Sequence, residues 1–211
     1  MRLFKYSIAL LCLSFLTGCA VGNQYDYQQA DVSLPIKGTD KVSLGVIDNR
    51  SYVINGDKSA NFIGLQRGGF GNPFEVTTSS GKPLTEDMSD VLERSLVQSG
   101  FQVNKLYFSS PDTSMVANVI KNNGQQKNII LTVSEWKTDV MMNIALIYDL
   151  ELQVKDQEGR EIASASARST GKEKISGAGF QGQNSRVAVS AFETKVSRLF
   201  NNPAIVKALK D

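Results

Sequence analysis

The residues from Val140 to Lys155 constrain the fold most strongly, because apolar side chains occupy every second position. Successive side chains of a strand point to opposite faces of a sheet, so strict alternation predicts one long β-strand. Its apolar face consists of Val140, Met142, Ile144, Leu146, Tyr148, Leu150, Leu152 and Val154. We expect this strand to be the middle one of three in series, between strands at Asn128–Trp136 and Arg160–Thr170.

The other periodic segments alternate between strand and helix. Apolar residues at helical spacing predict a helix from Thr85 to Ser99, with Thr85 as its N-cap and Gly100 as its stop. The remaining predictions are strands at 41–47 and 101–108, helices at 113–123 and 185–200, and a short terminal helix from Pro203. The order β-α-β-α-β-β-β-α predicts an α+β fold, in which helices pack on one face of a mixed, largely antiparallel sheet.

Three segments lack a regular pattern. We expect long loops at 55–83 and 176–184, and a flexible tether before a single domain at 41–211. The tether begins at residue 19 and ends at residue 40. Its two tyrosines, Tyr25 and Tyr27, either are incidental, pack on the domain or lie at lipid headgroups.

The N-terminus has the pattern of an exported protein. Arg2 and Lys5 precede an apolar run from Tyr6 to Leu16, which is shorter than the roughly 20 residues that span a bilayer and has the length of a signal-peptide core. The following residues, Leu16-Thr17-Gly18-Cys19, resemble the lipobox of bacterial lipoproteins. The resemblance implies a signal peptide at 1–18 and acylation of Cys19. The alternatives are an ordinary signal peptide or a buried N-terminal helix.

The lipobox resemblance also implies a location. Several acyl chains on Cys19 anchor a protein almost irreversibly. In enterobacterial-type sorting an Asp after the cysteine favours the inner membrane, so Ala20 implies the outer membrane, with the domain facing the periplasm. Loss of the signal peptide removes two of the 23 basic residues and none of the 21 acidic ones, and the formal charge falls from +2 to zero.

Composition excludes several classes of function. The chain has no His, which excludes imidazole bases, Ser-His triads and His-ligated metals. Its two cysteines, Cys12 and Cys19, both lie near the N-terminus, which excludes a disulfide framework and a structural zinc site. A balanced mature charge without a basic-aromatic cluster gives no support for nucleic-acid binding. We expect neither a metal nor a cofactor.

Two short motifs resemble catalytic or cofactor motifs without their usual context. Gly177–Gly182 reads G-x-G-x-x-G before a helix, but no parallel strand precedes it and no strand with an acidic end follows. We interpret it as a flexible loop rather than a nucleotide site, with anion binding at the helix N-terminus as the alternative. Ser-x-x-Lys occurs three times without the companion motifs of penicillin-binding enzymes.

The two glycine-rich loops each carry one phenylalanine, Phe70 and Phe180. A phenylalanine between glycines either packs into the core, which we favour, or is presented to a partner. Long loops in compact domains are often functional, so Arg67, Phe70 and Phe180 are our candidate partner-binding residues. Trp136, the single tryptophan, we interpret as an edge of the core rather than a ligand platform.

The chain as a whole resembles the YajG-type family of bacterial lipoproteins. The resemblance rests on the lipobox, the first strand ending Asp48-Asn49-Arg50, the helix ending Ser99-Gly100-Phe101, the long hairpin turning at Gly159, and Asn202-Pro203-Ala204-Ile205. The strand order is also similar to the N-terminal-domain fold of TolB. The segment at 55–83 is longer than expected for the family.

The family resemblance implies no catalytic residues. Our first hypothesis is a non-catalytic outer-membrane lipoprotein that binds protein partners in the envelope, with a sheet edge or a glycine-rich loop as the contact surface. Two alternatives stay open: a peptidoglycan- or glycan-acting hydrolase using unrecognised carboxylates, and a module that binds a glycan or a small ligand.

Overall fold

The computed structural model describes residues 23–210, apart from the side chain of Gln181. The predicted signal peptide, the predicted acylation site Cys19, and Ala20 lie outside the described residues. The strands are β1 (Gln24–Tyr25), β2 (Lys41–Asp48), β3 (Phe62–Arg67), β4 (Pro73–Thr78), β5 (Gln102–Leu106), β6 (Asn128–Val140), β7 (Asn143–Lys155), β8 (Glu161–Arg168) and β9 (Glu173–Gly177). The helices are α1 (Ser51–Ile54), α2 (Leu84–Gln98), α3 (Thr113–Asn123), α4 (Gln181–Phe200) and α5 (Pro203–Lys210). The predicted α+β class is confirmed.

The sheet is built on the hairpin of β6 and β7, each 13 residues long. The first half of β6 pairs with β2 in parallel, and its last residues pair with β3 in parallel. Beyond β2 lies β5, and beyond β3 lie β4 and then β1, which gives the order β1-β4-β3-β6-β2-β5. On the other side, β7 pairs with β8 near its C-terminal end and with β9 near its N-terminal end. The mixed sheet is confirmed.

The central hairpin turns later than predicted, because β6 continues four residues beyond Trp136 and β7 begins three residues after Val140. Val140 is the last residue of β6, Met141 and Met142 form the turn, and β7 begins at Asn143. The prediction that Met142 faces the core is wrong, because its side chain is 84% exposed. Met141 and Met142 are both apolar, so the alternation of apolar residues continues through the turn. The sequence pattern therefore does not show where the hairpin turns.

The segment at 55–83 is a hairpin of β3 and β4 rather than a long loop, which corrects the prediction. Its pattern is broken at Gly64, where φ is +152° and a side-chain Cβ would lie 2.3 Å from Oγ1 of Thr138. The register of β3 shifts at this point, and Phe62 and Ile63 are both buried although they are adjacent. Because such a bulge interrupts the alternation of buried and exposed side chains, the sequence pattern does not identify this strand.

Helices cover both faces of the sheet. As predicted, α2, α4 and α5 share one face, where they pack in the main core. On the opposite face, α3 places Val116 and Ile120 against Ile47, Leu106 and Ile130 in a smaller core. The bounds of α3 match the prediction, whereas α2 begins at Leu84 with Pro83 as its N-cap, not Thr85.

Residues 23–40 belong to the domain, so the prediction of a flexible tether is wrong for them. Tyr25, Tyr27, Val32 and Ile36 are buried in the main core. Gly38 donates a backbone hydrogen bond to the carbonyl of Ser99 at the end of α2. The apolar residues of this segment are irregularly spaced, and periodicity does not detect side chains that are buried one at a time.

Trp136 lies inside the core rather than at its edge. Its indole Nε1 donates to Oη of Tyr27 at 2.7 Å, and neither side chain is exposed. Edge-to-face contacts join its ring to Tyr27 and to Phe192 of α4, with centroids 6.3 and 5.9 Å apart. Because the ring is fully buried, it offers no platform to a ligand.

We predict that Tyr27→Ala destabilises the domain and changes its tryptophan fluorescence. Removing a buried aromatic side chain leaves a cavity, which lowers the free energy of unfolding by about 3 to 5 kcal/mol. Since Trp136 is the single tryptophan, its emission also moves to longer wavelength as water reaches the indole. Urea unfolding and fluorescence measure both effects. Tyr107→Ala, at a tyrosine that is 72% exposed, is the matched control; equal stability of the two variants would contradict the packing.

Candidate functional site

Three loops meet where the β6–β7 hairpin turns, and we call them together the loop end: residues 68–72, 141–142 and 178–180. The β3–β4 loop lies there because Gln66 is paired with Val140, the last residue of β6. The β9–α4 connection lies there because the backbone N–H of Ala178 donates to the carbonyl of Met142 at 3.2 Å. The fold therefore brings two predicted site residues, Phe70 and Phe180, to one end of the molecule.

The loop end is an exposed apolar surface. Phe70 is fully exposed and Phe180 is 90% exposed, so the expectation that they pack into the core is wrong. Of the ten large exposed apolar side chains within residues 23–210, five lie at or beside this end: Phe70, Phe74, Met141, Met142 and Phe180. Scattered apolar side chains are normal on a protein surface, but a concentration of them marks a binding surface.

Asn184 fixes one side of the loop end, and sequence reasoning missed it. Its side chain is buried, accepts from the backbone N–H of Gly179 at 2.8 Å, and donates to Oε1 of Gln66 at 3.4 Å. It thereby ties the loop that carries Phe180 to the strand that leads to Phe70. The available signal was an asparagine at the end of the predicted glycine-rich loop, a residue type that bonds to nearby backbone groups.

Arg67 lies in an ion-pair cluster below the apolar side chains. Its guanidinium binds both carboxylate oxygens of Asp139, at 2.7 and 2.9 Å, and Nζ of Lys172 binds the same carboxylate at 2.5 Å. These bonds, led by the one from Arg67, lower the pKa of Asp139 to about 2 although desolvation opposes the shift. Because two cations share one carboxylate, the cluster has a net positive charge.

Arg50 connects β2 to β3, a role that the sequence pattern did not indicate. Arg50 is fully buried. Its Nε and Nη2 bind the carboxylate of Asp48 at the end of β2, at 2.8 and 2.6 Å. Its Nη1 and Nη2 also donate to the carbonyls of Phe62 and Ala60, at 2.6 and 2.8 Å. The guanidinium thus joins the end of β2 to the start of β3.

A second candidate surface lies where the parallel strands β2 and β5 end. An apolar groove of about 450 Å³ runs between these strand ends, α1 and the start of α2. Its apolar lining includes Ile47, Val53, Ile54, Phe108 and Pro111. Phe108 folds back across Gly45, where an added Cβ would lie 2.2 Å from its ring, so only glycine fits beneath it. We call this surface the strand-end groove.

The edge of the sheet beside the groove is open. Within residues 23–210, β5 pairs with β2 and with no other strand. Tyr107, the residue after β5, is 72% exposed, and Ile54 across the groove is 50% exposed. An unpaired edge offers backbone donors and acceptors to an added strand.

The carboxylates near these surfaces are occupied by structural contacts. Asp48 borders the groove but is bound by Arg50. The buried Asp87 of α2 accepts hydrogen bonds from Ser80 and Gln28, and burial raises its pKa. Residues 23–210 contain no group of three carboxylate or thiol side chains placed to hold a metal ion. Among the helices of this range, none has the length and apolar character needed to cross a membrane.

Comparison with known proteins gives structural similarity without sequence similarity. No protein family matches the sequence, and neither does any curated protein. The structure is similar to protein XCC0632 of Xanthomonas campestris, assigned to DUF330, with a TM-score of 0.50 at 12% identity over 85% of this chain and 91% of that one. This similarity shows a shared fold.

Two further structures are similar at lower scores. The PelC dodecamer of Paraburkholderia phytofirmans has a TM-score of 0.41 at 13% identity, over 80% of this chain and 94% of that one. Lipoprotein GNA1162 of Neisseria meningitidis has a TM-score of 0.37 at 12% identity, over 76% of this chain and 99% of that one.

We predict that Arg50→Leu lowers the free energy of unfolding by about 3 to 5 kcal/mol, because it leaves the Asp48 carboxylate and two buried carbonyls without their donor. Arg50→Lys restores part of the loss, since an ammonium keeps the charge but not the planar set of donors. Urea unfolding measures both. Arg160→Leu, which removes an exposed arginine from its ion pair with Asp156, is the control and changes little. An Arg50→Leu protein as stable as the control would contradict this role.

We predict a pH-dependent effect of Asp139→Asn. The folded pKa of Asp139, about 2, lies below the value of roughly 3.9 in an unfolded chain, so its ionised form stabilises the fold above pH 4. At pH 7 the variant loses about 1 to 2 kcal/mol, allowing for partial solvent screening. The difference from the wild type shrinks as the pH falls from 4 to 2. Thermal unfolding across this range measures it; a constant difference would contradict the assignment.

Proposed function

We propose that this chain is a YajG-like lipoprotein of the bacterial envelope, acylated on Cys19, anchored to the outer membrane and facing the periplasm. It acts without catalysis, as a module that binds another envelope protein. The lipobox supports the anchor. The proposal assigns it no metal, cofactor or nucleotide.

The observation that carries the binding role is the open edge of β5 beside the strand-end groove. An extended segment of a partner adds to such an edge as a further strand, and main-chain hydrogen bonds supply affinity. The groove then takes an apolar side chain of that segment, between Ile54 and Phe108. The partner is accordingly a protein with an extended apolar segment in the periplasm.

The loop end is a second contact surface, separate from the edge that takes the protein partner. Phe70 and Phe180 make its contacts, since both side chains are exposed. Arg67 acts differently from the sequence expectation, because its guanidinium is engaged by Asp139 and it supports the loop from below.

We predict that a photoreactive phenylalanine analogue at position 107 crosslinks in cells to a periplasmic protein, because this position adjoins the open edge. The same analogue at position 97 is the control; Val97 is also exposed but lies near the other end of α2. Ile54→Asp places a charge in the groove and abolishes the adduct at position 107. Cys19→Ala removes both the adduct and the membrane fraction of the protein.

The protein-partner role fails if position 107 gives no adduct above that at position 97. The anchor fails if the mature N-terminal peptide carries no acyl chains in mass spectrometry. The two parts of the proposal are therefore tested separately.

A further inference from the structure

The path of the chain into the domain determines which surface the lipid anchor adjoins. Strand β1 runs parallel to β4, with Gln24 beside Thr77. Strand β4 begins directly after loop 68–72 and leads away from the loop end. The chain before Gln24 therefore enters from the side of the loop end.

Hydrogen bonds between the N-terminal segment and α4 independently indicate the same direction for the chain. The N–H of Asp26 donates to Oγ of Ser185, near the start of α4, and the N–H of Asp31 donates to Glu193, two turns further along. The N-terminal segment thus runs beside α4 and away from Phe180 as the residue number rises. Traced backwards, it leads to the loop end.

The link between anchor and domain is short. The carbonyl of Asn23 already accepts a hydrogen bond from Thr77 of β4. Three residues lie between Cys19 and Asn23, and the four steps from Cα to Cα span at most about 14 Å. Thr77 itself lies four residues along β4 from Pro73, or about 13 Å. The reach from Asn23 to the acylated cysteine is therefore about as long as the distance from Thr77 to the loop end.

We propose that the loop end binds the lipid bilayer in which the acyl chains of Cys19 are anchored, so that the domain sits on the membrane in a fixed orientation. The inference rests on the proposed acylation. The exposed side chains at this end suit the interface: Phe70, Phe180 and Met142 enter the boundary between headgroups and acyl chains.

The charges near this end agree with a phospholipid surface. Arg67 and Lys172 share one carboxylate, while Lys174 and Arg186 are exposed on the elements that flank the connection at 178–180. The acidic Glu75 on β4 is paired with Lys58. An excess of cations near apolar side chains favours anionic lipid headgroups.

The strand-end groove stays in the aqueous phase in this orientation. Strand β2 ends beside Val133, seven residues before the last residue of β6, which is about 23 Å along the strand. A membrane at the loop end therefore leaves the groove and the edge of β5 accessible to a periplasmic protein.

The test uses single cysteines in the full, lipidated protein. Cys12 leaves with the signal peptide and Cys19 is capped by lipid, so an introduced cysteine is the one free thiol. Phe70→Cys and Phe180→Cys place an environment-sensitive fluorophore at the loop end, and Val97→Cys and Tyr107→Cys are exposed controls. Each protein is reconstituted into vesicles of phosphatidylethanolamine and phosphatidylglycerol, with or without brominated acyl chains.

We expect brominated acyl chains to quench the fluorophore at positions 70 and 180, and aqueous iodide to quench it at positions 97 and 107. Iodide quenching of all four positions in membrane-bound protein would overturn the membrane contact and leave the anchor intact. In cells, a protein adduct from a photoreactive group at position 180 would overturn it in favour of a protein at the loop end. A protein without acyl chains would overturn the proposed anchor, and the membrane contact with it.

Discussion

The guanidinium of Arg50 joins two parts of the sheet that the backbone does not pair with each other. Strands β2 and β3 lie beside different portions of β6, and Arg50 bridges them through Asp48 on one side and the carbonyls of Ala60 and Phe62 on the other. A buried charge is costly unless its bonds are satisfied. Here Asp48 neutralises the guanidinium, and the bonds to the carbonyls of Ala60 and Phe62 tie the start of β3 to the end of β2.

The same arrangement separates two surfaces on one small domain. The loop end is apolar and has cations nearby. The strand-end groove lies about seven residues back along β6, beside an open edge of the sheet. In the proposed orientation, one surface faces the lipid and the other faces a partner at a fixed distance from the membrane. The proposed mechanism therefore does not require a long tether that would let the domain reach a distant partner.

Regular patterns predicted much of this fold. Alternation found β7, and helical spacing with its terminal signals found α2 and α3. The same patterns did not predict the parts of the chain that pack irregularly. The bulge at Gly64 interrupts the alternation of β3. Tyr25 and Tyr27 are buried, but they belong to no periodic run of apolar residues. The sequence singled out Phe70 and Phe180, but their proximity results from pairings between segments distant in sequence, which no local pattern contains.

The central claim is that the loop end seats the domain directly on the membrane, and neutron reflectometry of the lipidated protein on a supported bilayer tests it most directly. The profile of protein density along the membrane normal is the quantity measured. We predict that protein density begins at the headgroups, with no water layer between bilayer and domain. A resolved water layer between the headgroups and the domain would contradict the claim.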